Sequence, residues 1–199
     1  MTRWQFDGEI TGLGTGSGVR IVVGHWSRSP FGEFTDVMVE LADGHRVLLA
    51  PSDAVRDFVT ATYVFEETVI TPVRRSRSGG SRTVEAGDLR VSVQVGARTM
   101  LGRLLNVIPR AVASAPWFCV VSDPIARVAL RGVRTRGTAG NGRREYYGAV
   151  DQRRLVGMSG SWRGRDLGPL RPVDPPVRFG FGSTPRTPAA TSIVTTIVD

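Results

Sequence analysis

Between Leu89 and Val95 every second residue is apolar: Leu89, Val91, Val93 and Val95 alternate with Arg90, Ser92 and Gln94. Strict alternation marks a strand with one face buried and the other wet. The same period of two recurs in short runs along the chain. Glycine, proline, Asp-Gly or Asn-Gly punctuates the runs, as turns between antiparallel strands require. The regular strand–helix alternation of a doubly wound parallel sheet is missing.

Read in order, the pattern predicts strands over 4–10 and 19–27, joined by the glycine-rich loop 12–18. The clearest hairpin pairs 34–42 with 45–50 through Asp43-Gly44, a pair suited to a type I′ turn. Val37, Val39 and Leu41 share one face of its first strand, and Asp36, Met38 and Glu40 share the other. Ser52 can cap a short helix from Asp53 to about Ala61 with Val55, Phe58 and Val59 as its apolar stripe. A long strand is expected over 63–73, a mobile exposed loop over 74–82, and a helix over 99–108 limited by Pro109. Beyond it the pattern gives a helix over 124–131 and strands near 133–138, 143–150 and 154–162. Pro172 to Pro176 forms a stiff connector, and strands over 177–181 and 192–198 close the chain. The fold class is mainly β (a β-rich α+β chain). It reads as one domain over 1–199, a curved antiparallel β-barrel of about ten strands with two or three short packed helices, and any ligand-binding role depends on whether its interior is hollow.

All 26 basic residues are arginine; the chain has no lysine. That excludes a Schiff-base nucleophile, a phosphate-loop lysine and a lysine general base. Arginine stays protonated and serves instead to bind carboxylate and phosphate through its planar fork. A GC-rich coding sequence would produce the same bias without selection on chemistry. Residues 1–70 carry 5 arginines and 10 carboxylates, and residues 71–199 carry 21 and 8. A basic region of this size attracts acidic small molecules or nucleic acid, or pairs with the acidic half of its own chain. The single cysteine, Cys119, cannot form an internal disulfide and fits a reducing compartment. Met1 is followed by Arg3, Asp7 and Glu9 without an apolar run, and no apolar stretch approaches the ~18 residues needed to span a bilayer. The expectation is a cytoplasmic protein without membrane contact.

The loop Gly12-Leu13-Gly14-Thr15-Gly16-Ser17-Gly18 fails as a nucleotide cradle, because its spacing is wrong and a strand follows it. His25, in Gly24-His25-Trp26, is a candidate acid–base group or ligand. Two distant histidines and one cysteine do not make a metal site. Glu33, Asp36 and Glu40 concentrate carboxylates around one strand. Buried, Asp36 and Glu40 would have raised pKa values suited to acid–base work or ligand binding; turned outward, they are ordinary solvated charges. The richest basic constellation joins Arg134 and Arg136 to Arg143, Arg144, Glu145, Tyr146 and Tyr147 across the Asn141-Gly142 turn. Paired strands there would set arginines beside aromatic rings, an arrangement that holds phosphate or stacks on bases. Ion pairing with Glu145 and Asp151 is the structural alternative.

Two fragments resemble the acetoacetate decarboxylase-like family. Phe31-Gly32-Glu33-Phe34-Thr35-Asp36-Val37 is similar to its aromatic-acidic strand. Arg144-Glu145-Tyr146-Tyr147-Gly148-Ala149-Val150-Asp151 is similar to its Arg-Glu-x-x-Gly-x-Pro-Lys stretch. The resemblance implies a closed, cone-shaped barrel around a cavity near Glu33, Arg144 and Glu145. It covers under a tenth of the chain. The proline position holds Val150 and the position of the Schiff-base lysine holds Asp151, which cannot form an imine.

The leading expectation is a β-barrel that binds a small anionic or amphipathic organic ligand without lysine-dependent catalysis, and without a cofactor or metal. Arg134, Arg136, Arg143 and Arg144 would supply charge, and Tyr146, Trp26 and Trp162 apolar walls. The alternatives are a cofactor-free enzyme using Glu33, Asp36 or His25, and a nucleic-acid or protein-interaction module using residues 131–154. The sequence leaves homo-oligomerisation open.

Overall fold

The computed structural model describes residues 3–113, 115, 117–120, 136–138, 144–180 and 184–198, with backbone alone at 136–138. Its strands are β1 (Arg3–Thr15), β2 (Arg20–Arg28), β3 (Phe34–Glu40), β4 (Arg46–Ala50), β5 (Glu67–Ile70), β6 (Val73–Ser78), β7 (Ser81–Ala86), β8 (Leu89–Arg98), β9 (Arg136–Thr138), β10 (Arg144–Trp162), β11 (Arg165–Asp166), β12 (Leu170–Arg171) and β13 (Ala189–Val198). The helices are α1 (Asp53–Thr60), α2 (Met100–Leu105) and α3 (Arg110–Ala113). All strands belong to one sheet in the order β5-β4-β3-β2-β1-β13-β10-β8-β7-β6, with β11 and β9 on β10 and β12 on β1. Every pairing is antiparallel except β4–β5, which is parallel and spanned by α1. No helix among the described residues is long and apolar enough to cross a membrane.

The sheet curls until its two ends meet. Leu13, Ile21, Val23, Val37, Val39, Val47 and Leu49 from one end share a single buried cluster with Val84, Ala86, Leu89, Val91, Val93 and Leu155 from the other. This is a curved β-barrel wall, as expected, and aliphatic side chains fill the part of its inner face that these residues cover. Each buried branched side chain contributes ~1.5–3 kcal/mol, so a filled interior is what an alternating Val/Leu pattern favours.

The outer face of the same strands is also buried. Phe6, Leu48, Ala50 and Ile197 pack with Val55 and Val59 of α1, and Ile10, Val22, Tyr147 and Ile193 pack with Phe179. Ser52 caps α1, accepting from the Val55 amide at 3.4 Å, as the sequence predicts. Strand 34–40 presents Val37 and Val39 inward and Asp36, Met38 and Glu40 outward from the barrel, yet Asp36 and Glu40 lie beneath this second layer.

Several boundaries differ from the expectation. The glycine-rich loop is strand as far as Thr15. Residues 74–82 are not a mobile loop but most of the β6–β7 hairpin. Of expected strand 63–73 only 67–70 (β5) and Val73, the first residue of β6, are strand, expected helix 99–108 is the shorter α2, and the two strands expected over 143–150 and 154–162 are one long strand from Arg144 to Trp162. Residues 177–180 are not strand, and expected helix 124–131 lies outside the described residues. At Asp43-Gly44 the Gly44 amide donates to Leu41 and Leu41 donates to His45, with Gly44 at φ +93°. That is a three-residue loop with its glycine in the left-handed region, and not a type I′ turn.

Glu40 is fully buried between Arg20, at 2.7 Å, and the Arg178 amide and Nε, at 2.7 and 3.0 Å. Arg20 is itself only 4% exposed at its side chain. Removing one partner of a buried pair strands the other charge. Glu40→Ala should therefore lower unfolding free energy by about 3–5 kcal/mol in a urea titration. Arg20→Met combined with Glu40→Leu should recover most of that loss.

Candidate functional site

Between the outer sheet face and α1 the two layers do not close completely. A cavity of about 50 Å³ remains, several times the ~10–15 Å³ that holds one water. Its walls are mainly apolar: Phe6, Ile10, Val22, Phe34, Met38 and Phe58 among them. Phe31, at the tip of the turn closed by the Gly32 amide and the Ser29 carbonyl, packs its ring on Phe6, Phe34 and Phe58.

Seven polar side chains converge on this apolar space. Gly24 and Asp36 face each other across β2 and β3, and the Asp36 carboxylate accepts from the Trp26 indole N–H at 3.1 Å. Any side chain at Gly24 would collide with this pair, since a Cβ there would lie 2.6 Å from Asp36 Oδ1. Burial pushes the Asp36 carboxyl up to about 7, against the smaller opposing pull of the Trp26 hydrogen bond. On the facing wall Tyr147 donates to Glu145 Oε2 at 2.9 Å and meets the Tyr63 hydroxyl in a second hydrogen bond. Burial, then the Glu145 charge, raises both phenols well above their ordinary range, so they stay neutral donors. Thr62 and Thr195 line the same space, and the hydroxyl of each is buried without a partner among the described residues.

Of the expected site residues, Asp36, Trp26 and Glu145 come together here. His25 does not: alternation along β2 turns it to the inner face, where Thr35 bonds its Nδ1 at 3.0 Å. Glu33 is exposed beside the Phe31 turn and Arg144 is exposed on β10. Tyr146 points away from Glu145 and Tyr147, on the other face of β10. Trp162 belongs to the inner core, with the Arg163 guanidinium 5.1 Å over its ring. Arg134 and Arg143 lie outside the described residues, and of Arg136 only the backbone is described, paired with Tyr146 in β9. The expected cluster of arginines is thus not part of the described cavity, whose lining has no cationic side chain. Tyr63, Thr62, Thr195 and Phe58 were not legible as site residues. Tyr147 was in view, since it shares a strand face with Glu145.

No family model matches the chain, and no curated protein matches it. Among solved structures it is similar to the crystal structure of acetoacetate decarboxylase from Legionella pneumophila, at 10% identity and a TM-score of 0.48 over 100% of this chain and 85% of that one. A likeness at that level speaks to neither activity nor site residues.

The folded chain holds the Asp36 proton to a higher pH than the unfolded chain does. Between about pH 4 and about pH 7 the folded state therefore binds more protons, and the Asp36 contribution to stability falls as pH rises through that window. Asp36→Asn keeps an acceptor for Trp26 and removes the titration. Its stability relative to the native chain should rise from pH 5 to pH 8, reaching a few kcal/mol in its favour. Urea unfolding at each pH reads the difference, and a constant offset would contradict the assignment.

Proposed function

We propose that the chain binds a small amphipathic organic molecule in this cavity, with its apolar body against Phe6, Ile10 and Phe58 and a neutral hydrogen-bonding head at Thr62 and Thr195. The observation that carries the reading is the pair of buried threonine hydroxyls, unpartnered among the described residues, that face an apolar space beside a carboxyl raised to about 7. A hydroxyl buried without a partner costs ~1–3 kcal/mol, and a ligand head that supplies the missing bond recovers it. Apolar walls with a few convergent polar groups are the usual make-up of a small-molecule site. Volume limits the occupant to a few heavy atoms unless Phe31 and Phe58 give way. The cytoplasm is the proposed compartment, on the strength of a single cysteine.

A second reading, cofactor-free acid–base catalysis, is favoured by one observation: a buried carboxyl near pH 7 suits a general acid. It requires the bound molecule to turn over at a rate that falls as pH rises through about 7.

1-Butanol, butylamine and butyrate as probes test the binding reading. Butanol should shift the Trp26 indole N–H resonance saturably, and butyrate should leave it in place. Ile10→Phe, which fills the cavity, should abolish the shift. Thr195→Val should weaken butanol binding about fivefold or more while leaving the free protein equally or more stable. No saturable response to any of the three, or a preference for butyrate, would overturn the proposal.

A further inference from the structure

On the inner face, away from the cavity under α1, lies a second and strongly polar basin of about 340 Å³. Glu9, Arg77, Arg82, Asp151, Arg153 and Ser192 line it, and Gly79 and Gly80 form its rim at the β6–β7 turn. The carboxylates are already shared among guanidiniums. Glu9 is bonded by Arg82 and approached by Arg75 at 3.6 Å. Asp151 accepts from Arg98 at 3.0 and 3.1 Å and lies 3.7 Å from Arg153. Arg77 has no carboxylate partner among the described residues. Five guanidiniums therefore meet two carboxylates, with Glu33 reaching the group from the exposed rim.

The excess charge is felt by neighbouring groups. Burial first, then the Arg82 and Arg77 charges, lowers Arg75 despite the opposing pull of Glu9. Burial first, then Arg75, lowers His25, which lines a small adjoining cavity with the same Glu9 and Arg82. Arg82 is itself buried, so its charge is poorly screened by solvent. Like charges held together at this density are stabilised by an anion that bridges them.

We propose that this basin binds a compact multivalent oxyanion of the phosphate-monoester class, held by Arg77, Arg82 and Arg153. Two negative charges on one tetrahedral group match the guanidinium excess, and planar forks bind phosphate oxygens in pairs. Glycines at 79 and 80 keep the rim free of side chains, and Ser192 supplies a hydroxyl from the floor. The basin is independent of the amphipathic cavity: it is formed on the opposite sheet face by other side chains.

Inorganic phosphate is the probe, with sodium chloride at matched ionic strength as the blank and citrate as the competing anion. In the His45→Gln protein one imidazole remains, and its ring resonance reports His25. Phosphate should raise the His25 pKa saturably, because a bound anion cancels the Arg75 and Arg82 field, and should raise the melting temperature above the chloride blank. Arg77→Ala, on an exposed hairpin, should weaken phosphate about tenfold, the loss of one charge-assisted bond, and Arg153→Ala similarly. Arg163→Ala, just beyond the far end of β10 and paired with Glu67, should change neither. A response equal to chloride, one that survives Arg77→Ala combined with Arg153→Ala, or tighter binding of citrate than of phosphate would overturn the proposal.

Discussion

Both faces of the central strands are buried, and the rest of the structure follows from satisfying that demand. A strand sends successive side chains to opposite sides, so β1, β2, β3 and β13 each carry two apolar stripes. The inner stripe is covered by the sheet's own far end: Leu13, Ile21 and Val37 reach Val84, Leu89 and Val91. The outer stripe needs a separate cover, and α1 supplies it with Val55 and Val59. Leu and Val interdigitate closely on the inside. On the outside the partners are Phe6, Trp26, Phe34, Phe58 and Tyr63, large rings of which several meet edge to face or tilted. Rings at such angles leave gaps that aliphatic packing would fill, so the apolar cavity lies under the helix.

Two carboxylates on that outer face show how local partners decide ionisation. Asp36 and Glu40 share a face of β3, four residues apart, and both are almost fully buried. Glu40 faces Arg20 across β2 and is reached again by Arg178, so its charge is balanced where it forms. Asp36 faces Gly24, and its hydrogen bond comes from an indole that carries no charge. Desolvation then outweighs the hydrogen bond, and the neutral acid is favoured. What sits opposite thus differs between the two carboxyls, an arginine that pairs with Glu40 and a glycine that offers Asp36 nothing.

Much of the sheet could be read from the sequence, because alternation is a local signal. The stripe from Leu89 to Val95, the split of Val37 and Val39 from Asp36 and Met38, and the Ser52 cap all rest on residues within one element. Whether the interior is filled was not legible, because alternation shows that a face is buried without showing what buries it. The β6–β7 hairpin was missed for a related reason. Arg74, Ser76 and Ser78 are polar, and an edge strand that leaves one face to solvent carries little apolar pattern. Tyr63 and Thr62 could not be assigned to the site, since they follow α1 and meet Tyr147 only through the fold. Asp36 and Glu145 were legible as candidates because carboxylates set among apolar or aromatic neighbours carry a desolvation cost wherever the chain buries them.

One irregularity separates the two halves of the segment that looked most like a single site. Along β10, Glu145, Tyr147 and Ala149 stand opposite Ile197, Thr195 and Ile193, all odd-numbered and all on the outer face. Between Ala149 and Asp151 the register shifts, and Asp151 stands opposite Ser192 on the inner face. A bulge inserts one unpaired residue and so reverses the parity of everything after it. With unbroken alternation Asp151 and Arg153 would have continued the line of Glu145 and Tyr147 and placed their charges under the aromatic layer. Instead the acid and hydroxyl groups before the bulge face an apolar cavity, and the charged groups after it face the polar basin. The strand that reads as one basic-aromatic motif thereby serves two chemically opposite environments, and a single extra residue keeps them apart.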